Sequence, residues 1–250
     1  MLNLYWYSGL SYILKLTAMF KKRLLVLMCI STCLYKLSAQ SLNTGVYFHG
    51  APLNENYDAY GSDTMGTRLF LKDWVKGVII TAADSVINDT ALSLNYDKLN
   101  SELIVTRDHK MFLHADRGDV KSFTLFTPDG KLTFYVVPEI GSYCFVQLLA
   151  MGKTCTVFKR INTVIKRPDY VTDGKVETGN PYYEYVDKIS YFIMNVSGKN
   201  KFSARFYANK ESIKQAFGFD QDKLAQYFGQ HRKGSLDDNF VKGIADFYNQ

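Results

Sequence analysis

The stretch Phe145-Val146-Gln147-Leu148-Leu149-Ala150-Met151-Gly152-Lys153-Thr154-Cys155-Thr156-Val157-Phe158-Lys159-Arg160-Ile161 decides the fold. Two apolar-rich runs of strand length flank Gly152-Lys153, and glycine supplies the positive φ that tight hairpin turns demand. A two-residue turn there puts Cys144, Val146, Leu148 and Ala150 on one face with Cys155, Val157 and Ile161. Tyr143, Gln147, Thr154, Thr156 and Arg160 fall on the other, more polar face.

The same punctuation recurs along the chain. Asp129-Gly130-Lys131, Gly152-Lys153, Asp173-Gly174-Lys175 and Ser197-Gly198-Lys199 place their glycines 22, 22 and 24 residues apart, and Asn88-Asp89 and Asp108-His109 extend the series backwards. A second set of breaks lies between them, at residues 97–100, Arg117-Gly118-Asp119, residues 138–141, Arg167-Pro168 and Asn180-Pro181. The two sets cut residues 67–208 into strand-length pieces, which predicts a mainly β domain built as an antiparallel up-and-down meander. Its clearest hairpins pair 121–127 with 131–137 and 190–196 with 201–207. A long meander has to hide its edges, so strong curvature or a barrel-like form is expected.

After Ala208 the apolar period changes from two to that of a helix. Asn209 is placed to cap a helix carrying Ile213, Ala216 and Phe217 and stopped by Gly218, and Asp220 to cap one carrying Leu224, Tyr227 and Phe228 and stopped by Gly229. Ser235 with Asp238 reads as a capping box ahead of Phe240, Ile244, Phe247 and Tyr248. Residues 209–250 are therefore a short α-helical tail, too short to stand alone, that packs on the sheet as one domain with 67–208. Residues 40–66 are an N-terminal segment.

Met19 opens a stretch with the features of an export signal. Lys21, Lys22 and Arg23 form a basic start, 24–35 an apolar run and Leu37-Ser38-Ala39 a cleavage-type ending, which is the layout of a secretory signal over 19–39. The run is shorter than the roughly 20 residues a membrane-spanning helix needs, so no transmembrane span is expected in the mature form. Residues 1–18 read as an upstream extension of the start. Cys33 partly fits a lipidation motif, with Thr32 a poor residue directly before it. Residues 1–39 hold Lys15, Lys21, Lys22, Arg23 and Lys36 and no acidic residue, so 30 basic and 24 acidic residues become 25 and 24. A near-neutral mature chain has no nucleic-acid footprint.

From Trp74 to Asn249, the order Val75-Lys76-Gly77-Val78, the link from Leu94-Asn95-Tyr96-Asp97 to Ser101-Glu102-Leu103, Val120-Lys121-Ser122-Phe123 and the ending Phe247-Tyr248-Asn249 carry a likeness. The chain resembles an uncharacterised family of exported proteins of Bacteroidota-type bacteria, in which a signal ending in Ser-Ala before Gln is also found. The resemblance implies a periplasmic, outer-membrane-associated or secreted location and transfers no catalytic residue.

Residues able to carry chemistry are few. Gly152-Lys153-Thr154 superficially suits a phosphate loop, but that motif needs a glycine where Gln147 stands, and a hairpin turn is the plainer account. His109, His114 and Asp116 are the metal candidates. On a strand His114 and Asp116 share a face and His109 points away, so a third ligand has to come from elsewhere, such as His49 or His231. Cys144 and Cys155 lie too far apart along a hairpin to be bridged and are expected as free, buried thiols. Tyr182, Tyr183, Tyr185 and Tyr191 are the candidates for stacking on a glycan or lipid. No cofactor is called for. These features lead to a non-enzymatic envelope protein that binds a partner protein or surface component. The alternatives are a barrel-type carrier of a small apolar ligand and a metal-dependent hydrolase.

Overall fold

The computed structural model describes Val46 and residues 48–52, 64–196 and 203–250. The chain divides between Asn43 and Thr44, and the described residues all belong to the second unit. The expected signal, Cys33 and the Ser197-Gly198-Lys199 turn lie outside the described residues.

The protein is mainly β and antiparallel. One sheet has four strands, in the order β1 (Phe48–Pro52), β6 (Met111–Ala115), β5 (Glu102–Thr106), β4 (Ser93–Asp97). The second has eight, in the order β14 (Ser203–Phe206), β13 (Glu184–Asn195), β10 (Cys155–Lys166), β9 (Phe145–Met151), β8 (Gly130–Val136), β7 (Val120–Thr127), β2 (Gly77–Thr81), β3 (Val86–Ile87). A two-stranded excursion, β11 (Val171–Thr172) with β12 (Glu177–Thr178), stands between β10 and β13. From β7 onward the large sheet is the expected meander, with the predicted hairpins at β7–β8 and β13–β14. It does not close: β14 and β3 are its edges.

The turn signals are physical. Gly130 and Gly174 hold φ of 136° and 86°. The Asp173 carboxylate accepts from the Lys175 and Val176 amides, and Asp108 does the same for Lys110 and Met111. Each such Asx turn satisfies two backbone donors at the reversal.

The single-sheet expectation needs correction. Strands β4 to β6 leave the meander and form the second sheet, whose inward residues Leu94, Tyr96, Leu103 and Val105 pack against Ile79, Phe123, Leu125, Phe134 and Phe145 of the large one. Sheet-on-sheet packing buries the aromatic rings against one another. Phe123 stacks on Phe134 at 4.8 Å, and Tyr96 lies 5.1 Å from Phe134.

The rest of the same face is covered by three helices, α1 (Lys210–Ala216), α2 (Gln221–Gln230) and α3 (Asp238–Tyr248). Asn209 and Asp220 cap the first two as expected, each side chain accepting from the amide three residues on. The third differs: Asp237, not Ser235, is the cap and accepts from the Phe240 amide. Gly229 does not stop α2, which runs on to Gln230. The α3 stripe of Phe240, Val241, Ile244, Ala245 and Tyr248 is buried against Cys155, Val157, Tyr191, Ile193 and Phe206. Complete burial of each large side chain contributes about 1.5–3 kcal/mol, which is what holds such short helices.

The β9–β10 hairpin is not a simple two-residue turn. Met151 pairs with Thr156, Val157 with Ala150, and then Phe158 with Leu148, so Leu149 is an extra residue in β9. This bulge swaps faces: Ala150 lies with Val157 in the helix-covered core, whereas Val146 and Leu148 lie with Phe158 on the opposite side. The expected alignment of Val146 and Leu148 with Val157 is therefore wrong on one side of the bulge.

Candidate functional site

Cross-strand pairing traces one row across the covered face of the large sheet. It runs Ile79, Phe123, Phe134, Gln147, Lys159, Tyr191, Phe206 on successive neighbouring strands. The apolar ends of the row belong to the two cores, and a polar pair stands between them. Gln147 and Lys159 are 8% and 9% exposed.

Lys159 is held from the helical side. Its Nζ donates to Asp238 Oδ2 at 2.5 Å, and the Tyr191 hydroxyl donates to Asp238 Oδ1 at 2.7 Å. Asp238 is the first residue of α3, where a carboxylate is favoured by the helix dipole. One carboxylate thus clips the start of α3 to two strands. Burial, followed by the bond to Asp238, raises the Tyr191 pKa well above its ordinary value, so the hydroxyl stays protonated and donates. A cleft of about 440 Å³ opens here, between Lys159, Ile189, Tyr191, Ala208 and residues 236–239. Gln147 Oε1 has no hydrogen-bond partner among the described residues.

The other end of α3 is clipped by Asn249. Its Oδ1 accepts from the Thr154 and Cys155 amides at 3.0 and 2.9 Å, and its Nδ2 donates to the Cys155 carbonyl at 3.0 Å. The Gly152-Lys153-Thr154 loop is therefore a docking point for the tail. A Cβ on Gly152 would stand 2.1 Å from the Asn249 amide carbon, which gives that glycine a packing role.

A larger cleft, about 650 Å³, lies among the helices themselves. Leu224 and Phe240 are its buried base, and Phe228 and Leu236 are partly buried beside them. Phe228 and Phe240 are 5.4 Å apart. Lys210, Lys214, His231 and Arg232 line it as well, and all four are exposed. Lys214 Nζ sits 6.0 Å from the Phe228 ring centre. No carboxylate lines the cleft. His231 stacks on Tyr227 at 4.1 Å, and its Nδ1 lies 3.0 Å from the Tyr227 carbonyl, an acceptor, so that nitrogen carries the proton. Leu236 lines both clefts.

The residues singled out from the sequence are dispersed. His114 Nδ1 bonds Glu102 Oε2 at 2.9 Å, and Arg117 reaches Glu102 Oε1 at 3.0 Å. The bond from His114, ahead of that from Arg117, holds the Glu102 carboxyl below its usual range. Asp116 caps a single 3-10 turn at Arg117–Asp119 through the Gly118 amide. His109 occupies the turn before β6 with φ 57° and meets the Trp74 ring edge-on at 6.2 Å. His49 stands opposite His114 in the register, and His231 is on α2's end. Among the described residues no three His, Cys, Asp or Glu side chains gather in a metal-ligating group.

The four tyrosines do not form one site either. Tyr182 is exposed in the loop before β13, and the Tyr183 carbonyl accepts from the Met65 amide. Tyr185 and Tyr191 are both buried, six residues apart on β13, which is about 20 Å of strand. Tyr191 borders the cleft beside Asp238. Cys144 and Cys155 are free and buried, and they face opposite sides of the large sheet. Burial pushes the Cys155 thiol up to about 11.

Sequence reasoning missed the helical cleft because its lining is spread over 210–240 in runs that read as ordinary solvated helix faces. The available signal was the acid-free cluster His231-Arg232-Lys233 just past a helix end. No helix of the described residues is long and apolar enough to cross a membrane. No family model matches the chain, and no curated protein or solved structure matches it.

Proposed function

We propose that the protein is an exported, non-enzymatic binding protein of the bacterial envelope, and that the cleft in its helical tail is the surface that holds a partner or envelope component. The observation that carries this reading is the pairing of an apolar base with four exposed, basic-type side chains and no carboxylate. Ligand sites combine an apolar lining with a few placed polar groups in this way. The histidines and cysteines have separate structural settings: a partner carboxylate for His114, an aromatic neighbour for His109, and burial on opposite faces for the two thiols. A carrier function needs its ligand in the helical cleft, because the open large sheet encloses no barrel lumen.

The test is a photo-crosslinking amino acid at Phe228, in cells that express the full chain, with the same group at exposed Tyr143 as control. The expected result is a discrete adduct at position 228 that disappears with Lys214→Glu, on a chain that begins at Gln40 in the envelope or secreted fraction. Equal labelling at both positions would remove the binding assignment. A full-length chain retained in the cytoplasm would remove export.

A further inference from the structure

Resting on that reading of the cleft, we propose that its ligand is a single-chain anionic amphiphile: a carboxylate or phosphate head among Lys210, Lys214 and Arg232, with an acyl chain laid on Leu224, Phe228, Leu236 and Phe240. Three observations lead to this class.

The first is uncompensated charge. Among the described residues Lys210, Lys214 and Arg232 form no ion pair, and no carboxylate lines the cleft they share. Cations gathered on one cleft repel each other, and a bound anion relieves that repulsion.

The second is where those charges sit. A helix end explains Arg232 and His231, which follow α2 and complement the negative end of its dipole. It does not explain Lys210. That residue opens α1, at the positive end of the dipole, where a cation is disfavoured. Lys210 therefore stands against the dipole of its own helix, and it lines the cleft.

The third is the gradient of polarity. The charged groups are all exposed, while Leu224 and Phe240 are 3% and 6% exposed. Charge outside and hydrocarbon inside is the pattern of an amphiphile with one polar end. An acidic protein segment presents charge along its length and would leave the base of the cleft unused. The volume, about 650 Å³, falls within the range of roughly 300–1,000 Å³ typical of small-molecule sites. Each methylene buried on the floor should strengthen binding about fourfold, so chain length should govern affinity more strongly than the head does.

The experiment is titration of the purified mature chain by calorimetry with five probes: dodecanoate, dodecyl phosphate, dodecanol, butanoate and a hexaglutamate peptide. Dodecanoate, dodecyl phosphate or both should bind with a micromolar dissociation constant, and comparison of the two identifies the preferred head. Dodecanol should bind at least tenfold more weakly, and butanoate should give no measurable heat. The exposed pair Lys210→Glu and Lys214→Glu should weaken the anionic amphiphile at least tenfold with unchanged circular dichroism, and Phe228→Ser should weaken dodecanoate and dodecanol alike. Binding of hexaglutamate that is lost in the charge-reversed protein, with no binding of either amphiphile, would overturn the ligand class and leave the cleft as a site for an acidic partner. Silence of all five probes would overturn the ligand class, and an unaltered crosslinking pattern in the charge-reversed chain would overturn the site as well.

Discussion

One face of the large sheet has two covers, and they are built on different principles. Over β2, β7 and β8 the small sheet lies face to face, and Phe70, Tyr96, Phe123, Phe134 and Phe145 fill the gap with rings. Two buried polar side chains near that seal are bonded internally: Asn95 imitates a strand by bonding both the amide and the carbonyl of Leu71, and Asp97 pairs with Arg68 while accepting from the Leu99 and Asn100 amides. Over β9, β10 and β13 three short helices replace the sheet. They are fastened at α3's two ends, by Asp238 and Asn249, and clefts remain beside them. Two pleated surfaces meet along their whole length, whereas helices of seven to eleven residues touch along stripes. The contrast teaches where binding chemistry can gather in this fold. A continuous seal has no room for it, and a stripe contact leaves space beside it.

The largest expected effect separates the two covers directly. Phe134→Ala and Tyr248→Ala each remove an almost wholly buried ring, and each should cost about 3–5 kcal/mol in urea denaturation. Hydrogen exchange of the two variants should differ. Tyr248→Ala should deprotect 210–248 first, because the Tyr248 hydroxyl lies 2.8 Å from the Phe217 carbonyl and 2.7 Å from that of Asp220 at the α1–α2 junction. Phe134→Ala should instead deprotect β7, β8 and the small sheet. Uniform deprotection in both would mean that the covers form a single cooperative unit.

Next in size is the Asn249 clip. Asn249→Ala leaves the Thr154 and Cys155 amides without their acceptor and should cost roughly 1–3 kcal/mol. Gly152→Ala displaces the same side chain, so a double-mutant cycle should show the two losses to be non-additive. Strict additivity would break the assignment of both residues to one clip.

A smaller effect distinguishes the covers by pH. The Glu102 carboxyl is depressed in the folded state, chiefly by His114, so its contribution is present above the unfolded value of about 4.3 and is lost as pH falls below it. Stability measured at pH 7 and pH 3.5 should therefore fall less in Glu102→Gln than in the wild type. An identical fall would show that this partly exposed pair contributes nothing measurable, as many such pairs do.

The smallest expected change sits at the seam between the covers. Gln147→Met keeps the shape and removes an acceptor that has no partner among the described residues, which should stabilise by about 1 kcal/mol, or roughly 2–4 °C in Tm. A loss of stability would indicate that the Gln147 amide supports its neighbour Lys159.

Local features of both halves were legible in the sequence, and the way they assemble was not. The β7–β8 hairpin followed from Asp129-Gly130 and its flanking alternation, because a positive φ and a period of two are local demands. The caps Asn209 and Asp220 were legible for the same reason, each bonding an amide three residues away. The four tyrosines do not gather, because closeness in sequence does not bring side chains together on an extended strand, and the metal set dispersed when the strand and turn geometry of 108–116 was fixed by other partners.

By itself the sequence determined where this chain reverses, where its period changes from strand to helix, and that Cys144 and Cys155 are poorly placed to meet. Only the tertiary structure decided that β4 to β6 leave the meander, that the extra residue Leu149 turns the inner strand's face, and that Lys159 finds Asp238 across 79 positions. It also decided that cations at 210, 214 and 232 line one cleft. Turns and caps are settled within a few bonds of the backbone. Register, sheet membership and the meeting of distant side chains are settled by which buried surfaces fit together, and that fit involves the whole chain at once.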